Sequence, residues 1–367
     1  MPDLFRIKKT DRRRIYYWSG IFCALVGFLL FILMLTRHFV KNQREVPAFI
    51  GGYCAIFATV LSVFQILEHL SCFSDPEAQC KIVRILFMVP LYAMISWVSI
   101  LQPNAAEYLN LIRDAYESYA IYAFFSLMLS LMGGVDALYR NLMLEERPPI
   151  PHFFPLCWLE PVKVSPRFVQ ICRKCLFQFM VCKPIVTFFI IILESNGKMG
   201  DELLDLTKGY FWTTLIYNIS ITIAFTALLY FYTGTKEFMD GKQAFGKFLC
   251  VKAVIFLSFW QGILIAIFAA AGVLPKFDYW SEQNVAAGLQ DFLICIEMLF
   301  VAFAHKFCFG SEEYAVGEDG ESDNAAVNGG APAPYIPPAR MSISSNLIYT
   351  LRHADLIAEV KDILRNR

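Results

Sequence analysis

FWTTLIYNISITIAFTALLYFY, the stretch from Phe211 to Tyr232, contains no charged side chain. An α-helix advances about 1.5 Å per residue, so a hydrocarbon layer about 30 Å thick is crossed by roughly 20 apolar residues in helical form. This stretch is long enough to cross. Read outward in both directions, the pattern recurs: apolar runs occupy Tyr16–Thr36, Ala48–Leu67, Ile82–Leu101, Tyr116–Val135, Cys175–Leu193, Phe248–Ala271 and Val285–His305, each ended by charged or turn-forming residues. Eight runs of spanning length predict an all-α polytopic membrane protein, because a helix satisfies every backbone hydrogen bond within itself.

Composition agrees. Hydrophobic residues make up 57% of the chain and charged ones only 17%, against about 25% charge in an ordinary soluble domain. Lys plus Arg and Asp plus Glu balance at 32 each, so net charge itself points to neither nucleic acid nor an acidic partner, and no nucleic-acid partner is expected; the distribution of charge says more. Lys and Arg in short loops are held on the cytosolic side during insertion. They gather before the first run (Arg6, Lys8, Lys9, Arg12, Arg13, Arg14) and between the fourth and fifth (Arg140, Arg147, Lys163, Arg167, Arg173, Lys174), whereas the loops after the fifth and seventh runs carry acids such as Glu194, Asp201, Glu202, Asp278 and Glu282. Both termini are therefore expected in the cytosol. The first run follows a basic head as a signal peptide would, but its length exceeds a signal peptide's usual 7 to 15 apolar residues, and we read it as an uncleaved span.

Beyond Gly310 the chain changes character. Ser311 to Pro338 is acidic, then rich in Ala, Gly, Asn and Pro, which predicts a disordered linker. Leu356, Ile357, Val360, Ile363 and Leu364 then recur at helical spacing with charges opposite, an amphipathic helix that mixed charge suits better to docking on protein than on lipid. The expected organisation is a basic head at 1–15, an extra first span at 16–36, a seven-helix domain at 48–309, a linker at 310–344 and the terminal helix at 345–367.

Polar groups inside the runs are where function is to be sought, since an ionised side chain near the bilayer centre costs about 2.5 to 3.5 kcal/mol on insertion scales. Glu297 and Lys183 lie at matching depths in the eighth and fifth runs, which predicts an ion pair between them, either lining a cavity or joining helices. Asn218, Gln261, Gln290 and Asp291 add hydrogen-bonding groups and make a polar seam with that pair. Lys252 either snorkels or lines an entrance. Asn218-Ile-Ser220 is a glycosylation sequon placed within a span and reads as a buried polar pair. Glu68, His69, Lys81 and Arg84 fall at the cytosolic boundary, where local pairing suffices, and Arg113 with Glu117 reads as an interfacial salt bridge at i, i+4.

No catalytic signature is present: the five histidines are scattered without HExxH, and there is no GxSxG or Walker A loop. Neither an enzyme nor a metal or other cofactor is expected. Cysteines within spans and cytosolic loops stay reduced. Cys157, Cys172 and Cys175 sit in a basic loop suited to palmitoylation, or are free thiols without a role.

Several runs taken together, Ile82–Trp97 (IVRILFMVPLYAMISW), Arg113–Leu127 (RDAYESYAIYAFFSL), Lys247–Gly262 (KFLCVKAVIFLSFWQG) and Val285–Met298 (VAAGLQDFLICIEM), resemble the family of transmembrane protein 184 and the organic solute transporter alpha subunit. The likeness covers about residues 48 to 309 and is closer to the transmembrane protein 184 branch. It implies a seven-helix bundle of that type with Tyr16–Thr36 as an additional leading span, and Lys183, Pro184, Asn218, Lys252, Gln261, Gln290, Asp291 and Glu297 at positions of the family's motifs. The implied activity is facilitated diffusion of steroid- or bile-acid-like amphipathic anions. Implied partners are membrane lipids and either a single-span beta-type subunit or a second copy, in a plasma or endosomal membrane. Ile95 departs from the branch, where many relatives carry an acid. The alternative activity is that of a non-transporting organiser of vesicle or endosome traffic, working through its tail; a seven-helix receptor is a third and weaker reading.

Overall fold

Prolines and glycines set the boundaries of the helices. The computed structural model describes residues 46–144, 147–152, 158, 160–200, 206–239, 244–273, 282–314, 343–352, 361 and 363. Helix α1 runs Val46–Ser71. Asp75 caps α2 (Pro76–Leu86), its carboxylate accepting from the Ala78 amide at 3.1 Å, with Pro76 in the first turn where its missing N–H costs nothing. The chain continues as α3 (Met88–Leu101). The junction at Phe87 follows from Pro90, which has no N–H to offer the Leu86 carbonyl one turn earlier.

Helix α4 (Pro103–Leu131) again opens on a proline. It ends at Gly133 and Gly134, both with φ near +85° to +87°, a region that side chains resist, and α5 (Gly134–Leu144) leaves bent by 59°. Ser165 caps α6 (Pro166–Ser195) by accepting from the Phe168 amide. Helices α7 (Gly209–Thr235), α8 (Ala244–Ala270), α9 (Glu282–Cys308) and the short α10 (Ile343–Leu351) complete the described chain.

Five of these segments are long and apolar enough to cross a bilayer, residues 47–71, 76–101, 166–195, 209–239 and 285–308, and the bent pair 103–131 with 134–144 passes the same test jointly. Helix α8 has 27 residues. Each run expected from Ala48 onward falls on these helices, Ile82–Leu101 across the junction of α2 and α3 and Tyr116–Val135 across that of α4 and α5, and the protein is an all-α polytopic membrane protein. Tyr16–Thr36 lies outside the described residues, as do 315–342.

Helix α9 packs against α1 and α3; α4 joins that trio through α3 and reaches α6; α6 packs along α7, and α8 rests on α9. Small side chains allow the close approaches. Ala55, Ala58, Ala93 and Ala120 are fully buried, and without a hydrophobic gain between helices in lipid such contacts supply much of the packing energy. At Gly52 a Cβ would lie 2.4 Å from the Trp97 indole nitrogen, which itself donates to the Ala48 carbonyl at 3.0 Å. On the opposite side, Ile185, Phe188, Phe189 and Ile192 of α6 and Trp212, Ile216, Ile219 and Ile223 of α7 are exposed, an apolar surface suited to acyl chains.

At the Lys/Arg-rich end, Gln65 donates to the carbonyls of His305 and Phe309, each at 2.8 Å, and His69 Nε2 meets the Phe309 carbonyl at 2.9 Å. These two α1 side chains cap the end of α9: the Phe309 carbonyl, just past the helix, accepts from both, and the His305 carbonyl accepts from Gln65 as well as from the Phe309 amide at 2.8 Å. Glu68 pairs with Lys306 beside them. Helix α10 lies on α1 and α2: Asn346 donates to the Leu70 carbonyl at 2.9 Å, and Arg84 donates through Nη2 to the Thr350 carbonyl at 3.0 Å. Helix α10 covers the first part of the segment in which a terminal amphipathic helix is expected, 345–367. Of the expected apolar stripe, Ile363 is described and buried, while Leu356, Ile357, Val360 and Leu364 lie outside the described residues.

Candidate functional site

Helix α4 passes between the α1–α3–α9 group and the α6–α7 pair, and it presents Arg113, Asp114 and Glu117 there. Successive residues of a helix point about 100° apart, so Arg113 and Asp114 face different neighbours. Arg113 turns toward α9 and α3. Its Nη1 donates to Asp291 Oδ1 and to Ser96 Oγ, both at 3.0 Å, and its guanidinium lies 5.8 Å from the centre of the Tyr92 ring. The pair is deeply buried, with side-chain exposures of 10% and 4%.

Asp114 turns the other way and accepts from Lys183 Nζ at 3.0 Å. The ammonium sits 3.5 Å from the centre of the Tyr217 ring, a cation–π contact with α7. Lys183 is buried at 8% exposure, but its partner Asp114 is 38% exposed, so this second pair opens outward where the first is closed. Glu117, one turn along α4 from Arg113, is half-buried. Asp291 lies about 14 Å along α9 from Glu282, Arg113 about 15 Å along α4 from Pro103, and Lys183 about 18 Å back from Ser195. Five ionisable groups on three helices therefore share one level. Three carboxylates face two cations, which leaves one negative charge in excess when all are ionised.

The pairing expected between Lys183 and Glu297 is not what the structure shows. Lys183 is taken by Asp114, and Glu297 is met by Gln261, whose amide, oriented with its nitrogen toward the acceptor-only carboxylate, donates to Oε1 at 3.0 Å and Oε2 at 3.2 Å. The reason is helical phase. Six residues separate Asp291 from Glu297, about 240° of rotation, so one faces α3 and α4 while the other faces α8. Gln290 lies on the α8 side as well, close enough that a Cβ at Gly262 would stand 3.3 Å from its Nε2. The predicted seam is thus two sites: Asp291 and Lys183 in the charged cluster, Gln261, Gln290 and Glu297 between α8 and α9.

Asn218 belongs to neither. It is exposed on the outer face of α7 and donates back to the Thr214 carbonyl at 2.8 Å, whereas its neighbour Tyr217 faces Lys183. The buried polar pair expected of Asn218 and Ser220 is instead Ser220 with Gln178 of α6, bonded reciprocally at 3.0 Å. The Lys252 side chain lies outside the described residues. Cys172 is buried within α6, because that helix begins at Pro166, more than two turns before Cys175; it is withdrawn from an acyl-transfer enzyme, Cys175 is half-buried, and Cys157 lies outside the described residues.

Sequence reasoning missed Arg113, Asp114 and Glu117 as site residues. The apolar run starts at Tyr116, which sets Arg113 and Glu117 at a membrane boundary as a salt bridge; α4 instead starts at Pro103 and carries them to mid-helix, where Arg113 is bonded to Asp291. The usable signal was Pro103 itself, a first-turn proline well before the apolar run. Among the described residues no group of three His, Cys, Asp or Glu side chains is placed to hold a metal ion.

The arrangement suits capture of an organic anion. A lysine bonded to a half-exposed carboxylate can exchange that carboxylate for a sulfate or carboxylate of a ligand, and aromatic faces beside it take an apolar body. A family model described as organic solute transporter Ostalpha matches residues 47–314. No solved structure matches the chain.

Proposed function

Because the chain belongs to the organic solute transporter alpha family and is thus a solute transporter embedded in a membrane, we propose that it is a facilitative carrier of amphipathic organic anions of the steroid-conjugate or bile-acid type. The observation that carries this reading is the Lys183–Asp114 pair, a buried ammonium on an aromatic face held by a carboxylate that reaches outward. In this reading the anionic group of the solute replaces Asp114 on Lys183, and Tyr217 covers the adjoining apolar rings. Arg113, locked between Asp291 and Ser96, keeps α4, α3 and α9 in register and fixes where Asp114 and Glu117 stand. Asp114 reclaims Lys183 when the solute leaves, so the site is never left with a bare buried ammonium, whose desolvation cost would otherwise oppose release. The Gln261–Glu297 contact lines a second stretch of the same passage. The carrier stands in a plasma or endosomal membrane with both termini cytosolic.

Uptake of a radiolabelled steroid sulfate into proteoliposomes tests this. The full chain should fill vesicles down the solute gradient and exchange label in both directions without ATP. Uptake equal to that of protein-free vesicles, for steroid sulfates and bile salts alike, would reject it.

A further inference from the structure

Helices α8 and α9 meet along one stripe with a fixed antiparallel register. Gln261 faces Glu297, and eleven residues farther along each helix Cys250 faces Cys308. Eleven residues are close to three helical turns, so both contacts fall on the same face of both helices. The thiol contact thus follows from the register of the interface. The Cys250 thiol donates to Cys308 Sγ at 3.2 Å. Gly246, one turn before Cys250, makes room, since a Cβ there would stand 3.3 Å from that same sulfur. Both cysteines are half-buried, and Cys308 is the last residue of α9 at the Lys/Arg-rich end of the bundle.

We propose that Cys250 and Cys308 are a redox modification site, closed by hydrogen peroxide into a disulfide that staples α8 to α9 and reopened by a dithiol or by glutathione. The inference does not depend on which solute is carried. The Cys308 sulfur attacks one peroxide oxygen; an S–O bond forms, the O–O bond breaks, and the leaving hydroxide departs as water with the thiol proton. The Cys250 sulfur then attacks the Cys308 sulfur, forming S–S, breaking S–O and releasing a second water with its own proton. Two thiols give up two electrons and two protons, and the peroxide is reduced to two waters. The sulfurs must close from 3.2 Å to about 2.05 Å, with Cβ atoms within about 4.5 Å, a movement within reach of χ1 rotation and a small helix shift. The staple holds together the two helices that carry Gln261 and Glu297.

The test uses the full chain in lipid nanodiscs, treated with graded hydrogen peroxide, then labelled with a heavy maleimide and digested for mass spectrometry. The wild-type chain should lose two maleimide tags and yield one linked peptide pair containing positions 250 and 308, restored to two free thiols by dithiothreitol. Protection of these two should run about tenfold faster than that of Cys182. Cys250→Ser should form no linked pair and leave a Cys308 sulfenic acid that a 1,3-dione traps, which shows that the thiol is still reached by oxidant. Full labelling of both cysteines after peroxide, Cys308 linked to a different cysteine, or a wild-type chain whose Cys308 is trapped by the dione as fully as in Cys250→Ser would each overturn the proposal.

Discussion

Lys183 and Arg113 are both buried cations, yet they are held differently, and substitution should separate them. Lys183→Met removes the group that receives the anion while Met keeps the volume of the stem; uptake should fall at least about tenfold with surface abundance retained, since Asp114 is left half-exposed and can stay hydrated. Arg113→Ala strands Asp291 in a pocket where its side chain is 4% exposed. Breaking such a buried pair costs about 3 to 5 kcal/mol, so this variant should show a lowered melting temperature in detergent and poor expression, and Arg113→Ala with Asp291→Ala should recover part of the melting temperature. A single Arg113 variant as stable as the wild type would contradict the positioning role. At this scale the sequence was half legible. Depth along a run follows from counting residues, and it placed Lys183, Asp291 and Glu297 well inside the bundle; azimuth depends on which neighbour each helix face meets, and so Lys183 went to Asp114, Glu297 to Gln261 and Asn218 to the outer surface.

Helices proved more legible than their partners. Apolar runs of spanning length mark them because lipid forces backbone groups to bond internally, and the runs from Ala48 onward are helical, two of them broken at Phe87 and at Gly133. What the runs conceal is polar or proline-bounded extension. Helix α4 reaches back to Pro103 and α6 to Pro166, and both extensions carry residues that decide the site or the fate of Cys172. Two elements give tests of packing. At Gly52 an added Cβ would stand 2.4 Å from Trp97 Nε1, so Gly52→Ala should cost about 1 to 3 kcal/mol by overpacking, seen as a lower melting temperature, with Trp97→Phe relieving part of it. At Gly134, where φ is +87° and the space for a Cβ is open, Gly134→Ala should cost only about 1 to 2 kcal/mol from left-handed strain.

For the whole molecule, the family match and the resemblance read in the sequence agree on an organic solute transporter alpha bundle over residues 47–314. The tail rests on that bundle by specific bonds, Asn346 to Leu70 and Arg84 to the last turn of α10. Removing residues 343–367 should therefore lower thermal stability by leaving buried Arg84 without the Thr350 carbonyl, while solute uptake persists; loss of uptake with unchanged stability would make the tail part of the transport path. Whether the transported anion is received by Lys183 in place of Asp114 can be read from a cryo-electron microscopy map of the full chain with a steroid sulfate bound. We expect the sulfate within hydrogen-bonding distance of Lys183 Nζ, its rings against Tyr217, and the Asp114 carboxylate turned away. Density for the steroid elsewhere, with the Lys183–Asp114 bond still at 3.0 Å, would contradict it.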